Sequence, residues 1–186
     1  VDTGLFSDHR NTRQMVREQA RGKKFLNLYC YTGAFTCYAA MGQAAATVSV
    51  DRSETAVNWL SDNLELNGLS DPRHRLIQKD VPDFLAQAGP EMGHFDLAVV
   101  DPPSYSTTRA TGQHTDLAVD HPALLNAVFE RMAPGGTVYF STNHQNFELK
   151  KKALNRDRIT EITDQTIPED YQNKRKKIHR CWEIRI

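Results

Sequence analysis

The sequence predicts an α/β fold, a mostly parallel sheet with helices on both faces. Three observations lead there. Apolar, strand-like runs alternate regularly with segments of helical periodicity. The first strand feeds through a glycine turn into a small-residue helix, the opening half of a βαβ unit. Three of the first four strands end directly in an acid: Asp51, Asp80 and Asp101. Ligands of such sheets bind at the carboxyl ends of the strands, near the switch in strand order. Three acids at one sheet edge therefore imply a shared site.

The elements follow in chain order. Thr3 to Arg10 is a turn-rich entry, and Asn11 to Ala20 reads as a polar helix stopped near Gly22. Taken alone, Asp8-His9-Arg10 is a helix cap with solvated neighbours. Phe25 to Cys30 is a buried strand, Tyr31-Thr32-Gly33 a turn, and Ala34 to Ala40 a helix. A turn without a bulky side chain, opening onto helix N–H groups, lets a ligand approach. Ala46 to Asp51 is the second strand. Its acid falls where dinucleotide-type folds place a ribose-binding carboxylate, roughly 20 residues after the turn. Ser53 caps a helix from Glu54 to Asn67, with Ala56, Val57, Leu60 and Leu64 on one face and Trp59 as core or rim packing. Arg75 to Lys79 is a strand ending at Asp80, and Val81 to Ala88 a short helix. Phe95 to Val100 is a near-continuous apolar strand, as in a buried parallel sheet. Ser106 to Thr115 reads as a polar loop of functional length. Asp116 to Ala133 is largely helical, Pro134-Gly135-Gly136 a turn, and Thr137 to Thr142 the fifth strand. Leu149 to Leu154 reads as a short basic helix and Arg158 to Thr166 as a sixth strand. Arg180 to Ile186 alternates with period two, like a last, edge-accessible strand.

The totals bound the function. A chain of 186 residues suits one domain with a substantial core. Lysine plus arginine equals aspartate plus glutamate at 23 each, so bulk charge does not point to nucleic acid, although local patches matter more than the sum. Three cysteines, at positions 30, 37 and 181, have no zinc spacing and suit a reducing cytoplasm. No metal site is expected. No apolar run approaches the ~20 residues of a membrane span. The start has neither an initiator Met nor a basic-then-apolar leader, so the chain reads as a fragment of a longer polypeptide.

A nicotinamide dinucleotide would want G-x-G-x-x-G, and a nucleotide triphosphate G-x-x-x-x-G-K-[ST]; neither is present. One glycine at the turn provides poorly for a pyrophosphate. An adenosine without phosphates fits better, and S-adenosylmethionine is such a ligand. Asp51 would take its ribose hydroxyls and Asp80 its adenine amino group, with Tyr31, Thr32, Gly33 and Ala34 beside the methionine part.

The order L-x-L-x-C-Y-T-G-x-F, V-x-V-D-x-S, a post-strand Asp and D-P-P-S-Y resembles class I S-adenosylmethionine-dependent methyltransferases, which have a Rossmann-like, seven-stranded sheet. With T-G-L-F-x-D-x-R at Thr3 to Arg10, Phe140-Ser141-Thr142-Asn143 and the terminal I-H-x-C-W, it is similar to the bacterial methyltransferases of large-subunit (23S) ribosomal RNA. Within these it looks most like the C-terminal, guanine-N7-modifying half of the bifunctional enzymes. The resemblance covers essentially the whole chain, residues 1–186, as one methyltransferase domain. It implies S-adenosylmethionine as cofactor, ribosomal RNA as partner, and Phe6, Asp8, Arg10, Arg52, Ser53 and Val81 as further cofactor-side residues.

The nucleophile decides what else the site needs. Pyrimidine C5 requires a thiolate to add to the ring first. Relatives that make 5-methylcytosine carry a Cys after the fifth strand, where this chain has Ser141-Thr142-Asn143. Enzymes acting on exocyclic amines resemble [DNS]-P-P-[YFW]; here Asp101-Pro102-Pro103 matches, but Ser104 takes the aromatic position and Tyr105 follows it. Guanine N7 has an in-plane lone pair and needs no base. Asp101 would then orient substrate or close the pocket, and Tyr105 would stack on an extruded base. Of two basic runs, Lys150 to Lys152 reads by itself as a solvated face, and together with Lys174 to Lys177 it makes a local phosphate-binding patch in the final third plausible. Cytosine C5 and guanine N2 are the alternative targets, and a non-catalytic binding module the alternative class.

Overall fold

The computed structural model describes residues 4–87, 89, 92–103, 105–107, 114–144, 146–172 and 176–186, with backbone alone at 105–107 and 114–115. After a 3-10 turn at Ser7–His9 comes helix α1 (Arg10–Gln19), then β1 (Lys24–Leu28), α2 (Ala34–Met41), β2 (Ala46–Asp51) and α3 (Glu54–Leu66). Next are β3 (His74–Gln78), α4 (Val81–Gln87), β4 (Phe95–Val100), β5 (Tyr105–Thr107), β6 (His114–Asp116), α5 (Leu117–Phe129) and β7 (Met132–Thr142). The chain ends with β8 (Ile159–Glu161), α6 (Thr163–Thr166) and β9 (Arg180–Arg185).

Seven strands form one sheet in the order β3-β2-β1-β4-β7-β9-β8. The first five are parallel, while β9 runs antiparallel to both β7 and β8. The chain runs outward from β1 to β3, then returns to the other side of β1. The switch in strand order therefore lies between β1 and β4.

Side chains alternate between the two faces. Leu26, Leu28, Ala98, Val100, Val138, Phe140, Trp182 and Ile184 pack with α4 and α5 through Phe84, Leu85, Leu125 and Val128. Phe25, Leu97, Val99, Tyr139 and Cys181 pack on the other face with Val16 and Ala20 of α1 and Phe35 and Ala39 of α2. Period-two burial on both sides is what a central sheet requires. One polar thread crosses the apolar layers: Asn27 Nδ2 donates to Thr36 Oγ1 at 2.9 Å, and Thr36 meets Ser49 Oγ at 2.7 Å. It fixes α2 against β1 and β2 with every member partnered.

Several expectations need correction. The first strand stops at Leu28 rather than Cys30, because Tyr29 adopts a φ of 58°. The expected loop between Ser106 and Thr115 carries a two-stranded antiparallel ribbon, β5 with β6, since backbone pairing needs no apolar pattern. Positions 134–136 form an irregularity inside β7 rather than a separate turn, with Phe95 opposite Met132 and Leu97 already opposite Thr137. The expected basic helix is a 3-10 turn at Lys151–Ala153. The expected sixth strand is a three-residue strand followed by α6. The terminal strand is interior, between β7 and β8, rather than an edge.

His121 shows how closely the core depends on protonation. It is fully buried in α5; its Nδ1 donates to Leu117 O at 2.9 Å, and its Nε2 accepts from the Lys150 N–H at 3.0 Å. Only the neutral ring satisfies both bonds, and burial pushes the His121 pKa below its ordinary value. Burial does the same for His74. The unfolded chain therefore binds more protons than the folded one below about pH 6.5, and stability falls as pH drops through that value. Urea denaturation at about pH 7.5 and about pH 5.5 is expected to give a lower midpoint at the acid value. His121→Gln, which cannot titrate, is expected to flatten the difference.

Candidate functional site

The site starts from the backbone between β1 and α2. Tyr29, Tyr31 and Gly33 have φ values of 58°, 48° and 74°. Glycine adopts the left-handed region freely, but the two bulky residues there are strained, and such conformations persist only where the surroundings impose them. Here the restraints can be named. Cys30 N–H donates to Val50 O at 3.1 Å, and Gly33 N–H to Cys30 O at 2.8 Å. Tyr31 N–H donates to Asp51 Oδ2 at 3.0 Å, and Asn63 Nδ2 to Thr32 O at 2.8 Å. The entry segment closes over the turn: Thr32 Oγ1 donates to Gly4 O at 2.6 Å, and Gly4 N–H to the Tyr31 hydroxyl at 3.2 Å. At Gly33 a Cβ would fall 1.9 Å from Leu60 Cδ1, so only glycine lets α3 pack against the turn.

A cavity of about 490 Å³ opens at this edge of the sheet, within the range of small-molecule sites. Its acidic wall comprises Asp8, Asp51, Asp80 and Asp101. Asp51 stands at the end of β2. Its Oδ1 accepts from Ser53 N–H at 2.9 Å, and its Oδ2 from Tyr31 N–H, so the carboxylate is oriented with lone pairs to spare. Asp101 follows β4, and its Oδ1 accepts from Ser141 Oγ of β7 at 2.6 Å. Asp8 sits in the entry turn, where its Oδ2 accepts from His179 Nδ1 at 2.9 Å. Burial alone would raise the Asp8 pKa; the His179 hydrogen bond and the neighbouring imidazoles pull it below its ordinary value.

Of the residues that sequence reasoning named, Phe6, Asp8, Tyr31, Thr32, Ala34, Asp51, Arg52, Asp80, Val81, Asp101, Pro102 and Pro103 line this one cavity. Gly33 shapes it through the backbone. Ser53 is elsewhere: its Oγ accepts from Ala56 N–H as the cap of α3. Arg10 points outward to an ion pair with Asp170 and is not among the lining residues. Ser104 and the Tyr105 side chain lie outside the described residues, as do Lys174 and Arg175. Lys150 to Lys152 are exposed, and Lys177 pairs with Asp164 at 2.7 Å. Sequence reasoning missed His9 and Asn143, which also line the cavity. The only available signal for His9 was its place between Asp8 and Arg10.

The donor set has a clear sign. Four carboxylates and one guanidinium, Arg52, face the cavity. Such a wall repels a polyphosphate and suits a ligand with positive charge and hydroxyls. The three cysteines are buried. Burial raises every thiol, Cys37 to about 11 and Cys30 and Cys181 further, so none stands as a thiolate near neutrality. Among the described residues no helix is long and apolar enough to cross a membrane. One group of described residues, Asp8, His9 and His179, has donor atoms within 4.8 Å of one another; His179 Nδ1 already donates to Asp8.

A family model described as S-adenosylmethionine-dependent methyltransferase matches residues 1–170. The ribosomal RNA large subunit methyltransferase K of Neisseria meningitidis serogroup B is 46% identical over 185 residues, covering 100% of this chain and 52% of that protein. The ribosomal RNA large subunit methyltransferase K/L of Pseudomonas aeruginosa is 42% identical over 186 residues, covering 100% of this chain and 25% of that protein. The chain thus spans between a quarter and about half the length of these two relatives. Among solved structures, a SAM-dependent methyltransferase from Streptococcus mutans matches with a TM-score of 0.84 at 28% identity, over 100% of this chain and 50% of that one. A methyltransferase structure complexed with SAH matches with a TM-score of 0.84 at 27% identity, over 100% of this chain and 51% of that one.

The Gly33 contact gives a direct test of the turn. Gly33→Ala is expected to destabilise the protein by roughly 2–4 kcal/mol, combining left-handed strain with overpacking against Leu60. Denaturant unfolding checks it. Leu60→Ala in the same chain should relieve the steric part, making the pair less than additive.

Proposed function

Because the chain belongs to the S-adenosylmethionine-dependent methyltransferase family, we propose that it transfers the methyl group of that cofactor to guanine N7 in large-subunit (23S) ribosomal RNA. The observation that supports the cofactor assignment best is the wall of four carboxylates around a one-glycine turn. The names of the relatives supply the substrate class. In this reading residues 1–186 act as one catalytic domain.

The cofactor, when bound, supplies an electrophilic methyl group on a sulfonium. Asp51, held by two backbone N–H groups, accepts from the ribose hydroxyls. Asp80 accepts from the adenine amino group, with Val81 and Pro102 beside the ring. Tyr31, Thr32, Gly33 and Ala34 flank the methionine part, and Phe6, Asp8 and Arg52 close the entry. Arg10 and Ser53 act indirectly: Arg10 ties the entry turn to Asp170, and Ser53 caps α3.

The choice of base follows from what the site offers a nucleophile. Addition to cytosine C5 needs a thiolate, and every thiol here is buried and raised above its ordinary pKa. An exocyclic amine needs its conjugation broken and a proton removed. Guanine N7 needs neither. Its lone pair forms the new C–N bond while the C–S bond breaks, its electrons staying on sulfur; the positive charge passes to the purine. Alignment and exclusion of water are then the main contributions of the protein. Asp101 faces the base as a carboxylate held by Ser141, and Tyr105 is the residue this reading assigns to stacking on it.

Calorimetric titration with S-adenosylhomocysteine tests the pocket. Asp51→Ala is expected to weaken binding by about 1.5–3 kcal/mol, the loss of a charged hydrogen bond. Methyl transfer to a 23S ribosomal RNA fragment, with the product mapped by cleavage at N7-methylguanine, tests the base. Label at guanine N2 or cytosine C5 would overturn the choice of N7.

A further inference from the structure

Two histidines beside the site are almost wholly buried: His9 is 5% exposed and His179 1%. Their rings stack at 4.2 Å with 13° between planes, and the edge of His9 meets Phe35 at 5.9 Å. His179 is fixed at both nitrogens, Nδ1 by Asp8 and Nε2 facing Thr166 Oγ1 at 2.9 Å. His9 Nε2 faces two carboxylates, Asp8 Oδ2 at 3.7 Å and Asp101 Oδ2 at 3.6 Å. His9 Nδ1 is buried with no hydrogen-bond partner among the described residues.

These positions fix the proton. A neutral imidazole carries one N–H. On Nδ1 it would be a buried donor without an acceptor, at a cost of about 1–3 kcal/mol, with a lone pair turned toward two carboxylates. On Nε2 it lies between two acceptors. A second proton would fall on Nδ1, where no described residue accepts it, and burial acts in the same direction, lowering the His9 pKa. Asp101 and Asp8 act against that lowering, and His179 and Arg13 act with it.

Asp101 then has a protein donor at each oxygen: Ser141 Oγ–H at Oδ1, and His9 Nε2–H beside Oδ2. We propose that His9 is a positioning residue for Asp101, holding the second oxygen of that carboxylate while Asp8 and His179 fix the imidazole in place. The separation of 3.6 Å is longer than a formed hydrogen bond, and catalytic hydrogen bonds commonly tighten when substrate binds. The proposal rests on the reading of Asp101 as the carboxylate that faces the target base.

Two variants and one spectrum test it. His9→Phe keeps a ring of similar shape without a donor, and His9→Gln keeps a donor near the Nε2 position. Both are expected to bind S-adenosylhomocysteine within about threefold of the unmodified protein. His9→Phe is expected to lower kcat about tenfold with little change in KM for RNA, and His9→Gln to recover to within about threefold. An unchanged kcat in His9→Phe, or a Gln variant no better than Phe, would overturn the proposal. Imidazole ¹H–¹⁵N spectra of the S-adenosylhomocysteine complex, recorded without RNA at about pH 7, should show His9 neutral with its proton on Nε2. That resonance should move in Asp101→Asn. A bare Nε2, or one indifferent to Asp101→Asn, overturns the proposal whether or not ribosomal RNA is the substrate. Absence of transfer by the unmodified protein would instead count against the substrate reading, with the spectrum still deciding the role of His9.

Discussion

The left-handed backbone between Leu28 and Ala34 is the constraint on which the rest of the site depends. A left-handed non-glycine residue costs on the order of 1–3 kcal/mol, and Tyr29 and Tyr31 both adopt that conformation here. The turn is held from three directions. β2 supplies Val50 O and the Asp51 carboxylate, α3 supplies Asn63 and the Leu60 surface, and the entry segment supplies Gly4. Asp51 therefore has two roles. It accepts the Tyr31 N–H that keeps the turn in shape, and it is the carboxylate assigned to the ribose. The entry segment has a similar double position, since Gly4 closes the turn while Asp8, four residues on, reaches His179 and ties the start of the chain to its last strand. Gly4 is itself constrained, because a Cβ there would fall 2.7 Å from the Trp59 ring.

The parts of this arrangement that were readable in the sequence are those with a local cause. Strand-ending acids, a glycine turn and a serine cap are each written within a few residues, and the five parallel strands follow from runs long enough to show their burial. The far end of the sheet was harder to read. β8 is only three residues long, too short for a period-two pattern to stand out, so the strand after it looked like an edge. The β5–β6 ribbon is polar, and nothing in its composition separates a ladder from a loop. His9 and His179 were missed for a different reason: 170 positions separate them, and each alone looks like a cap or a packing residue. Only the antiparallel return of β9 beside β7 brings His179 under the entry turn.

Composition also concealed the electrostatics. Equal numbers of basic and acidic residues give a formal net charge of zero, yet four carboxylates converge on one cavity. Sheet topology accounts for three of them, because parallel strands place their carboxyl ends at one edge, where Asp51 ends β2 and Asp80 and Asp101 follow β3 and β4 within two residues; the entry turn adds Asp8. Such a site attracts a sulfonium or an ammonium and repels phosphate. If ribosomal RNA is the substrate, as proposed, its phosphates would have to be met away from this acidic wall, with the base alone entering.

The magnitude of that field bears on how the acids would assist the proposed methyl transfer. In the proposed reaction at guanine N7, the total charge of the reacting pair is unchanged and one positive charge passes from sulfur to the purine. A carboxylate that goes from about 8 to about 5 Å from that charge gains on the order of 1 kcal/mol at an effective dielectric near 20. This is a rate factor of roughly ten or less, much smaller than the 7–11 kcal/mol available from alignment. The gain has the right sign only if the carboxylate stays ionised and on the purine side. An unrestrained aspartate would spread over rotamers and lose part of it. Ser141 Oγ holds one oxygen of Asp101, and in the proposed arrangement the His9 N–H closes on the other from 3.6 Å. A neutral His9 ring would hold the carboxylate without cancelling its charge.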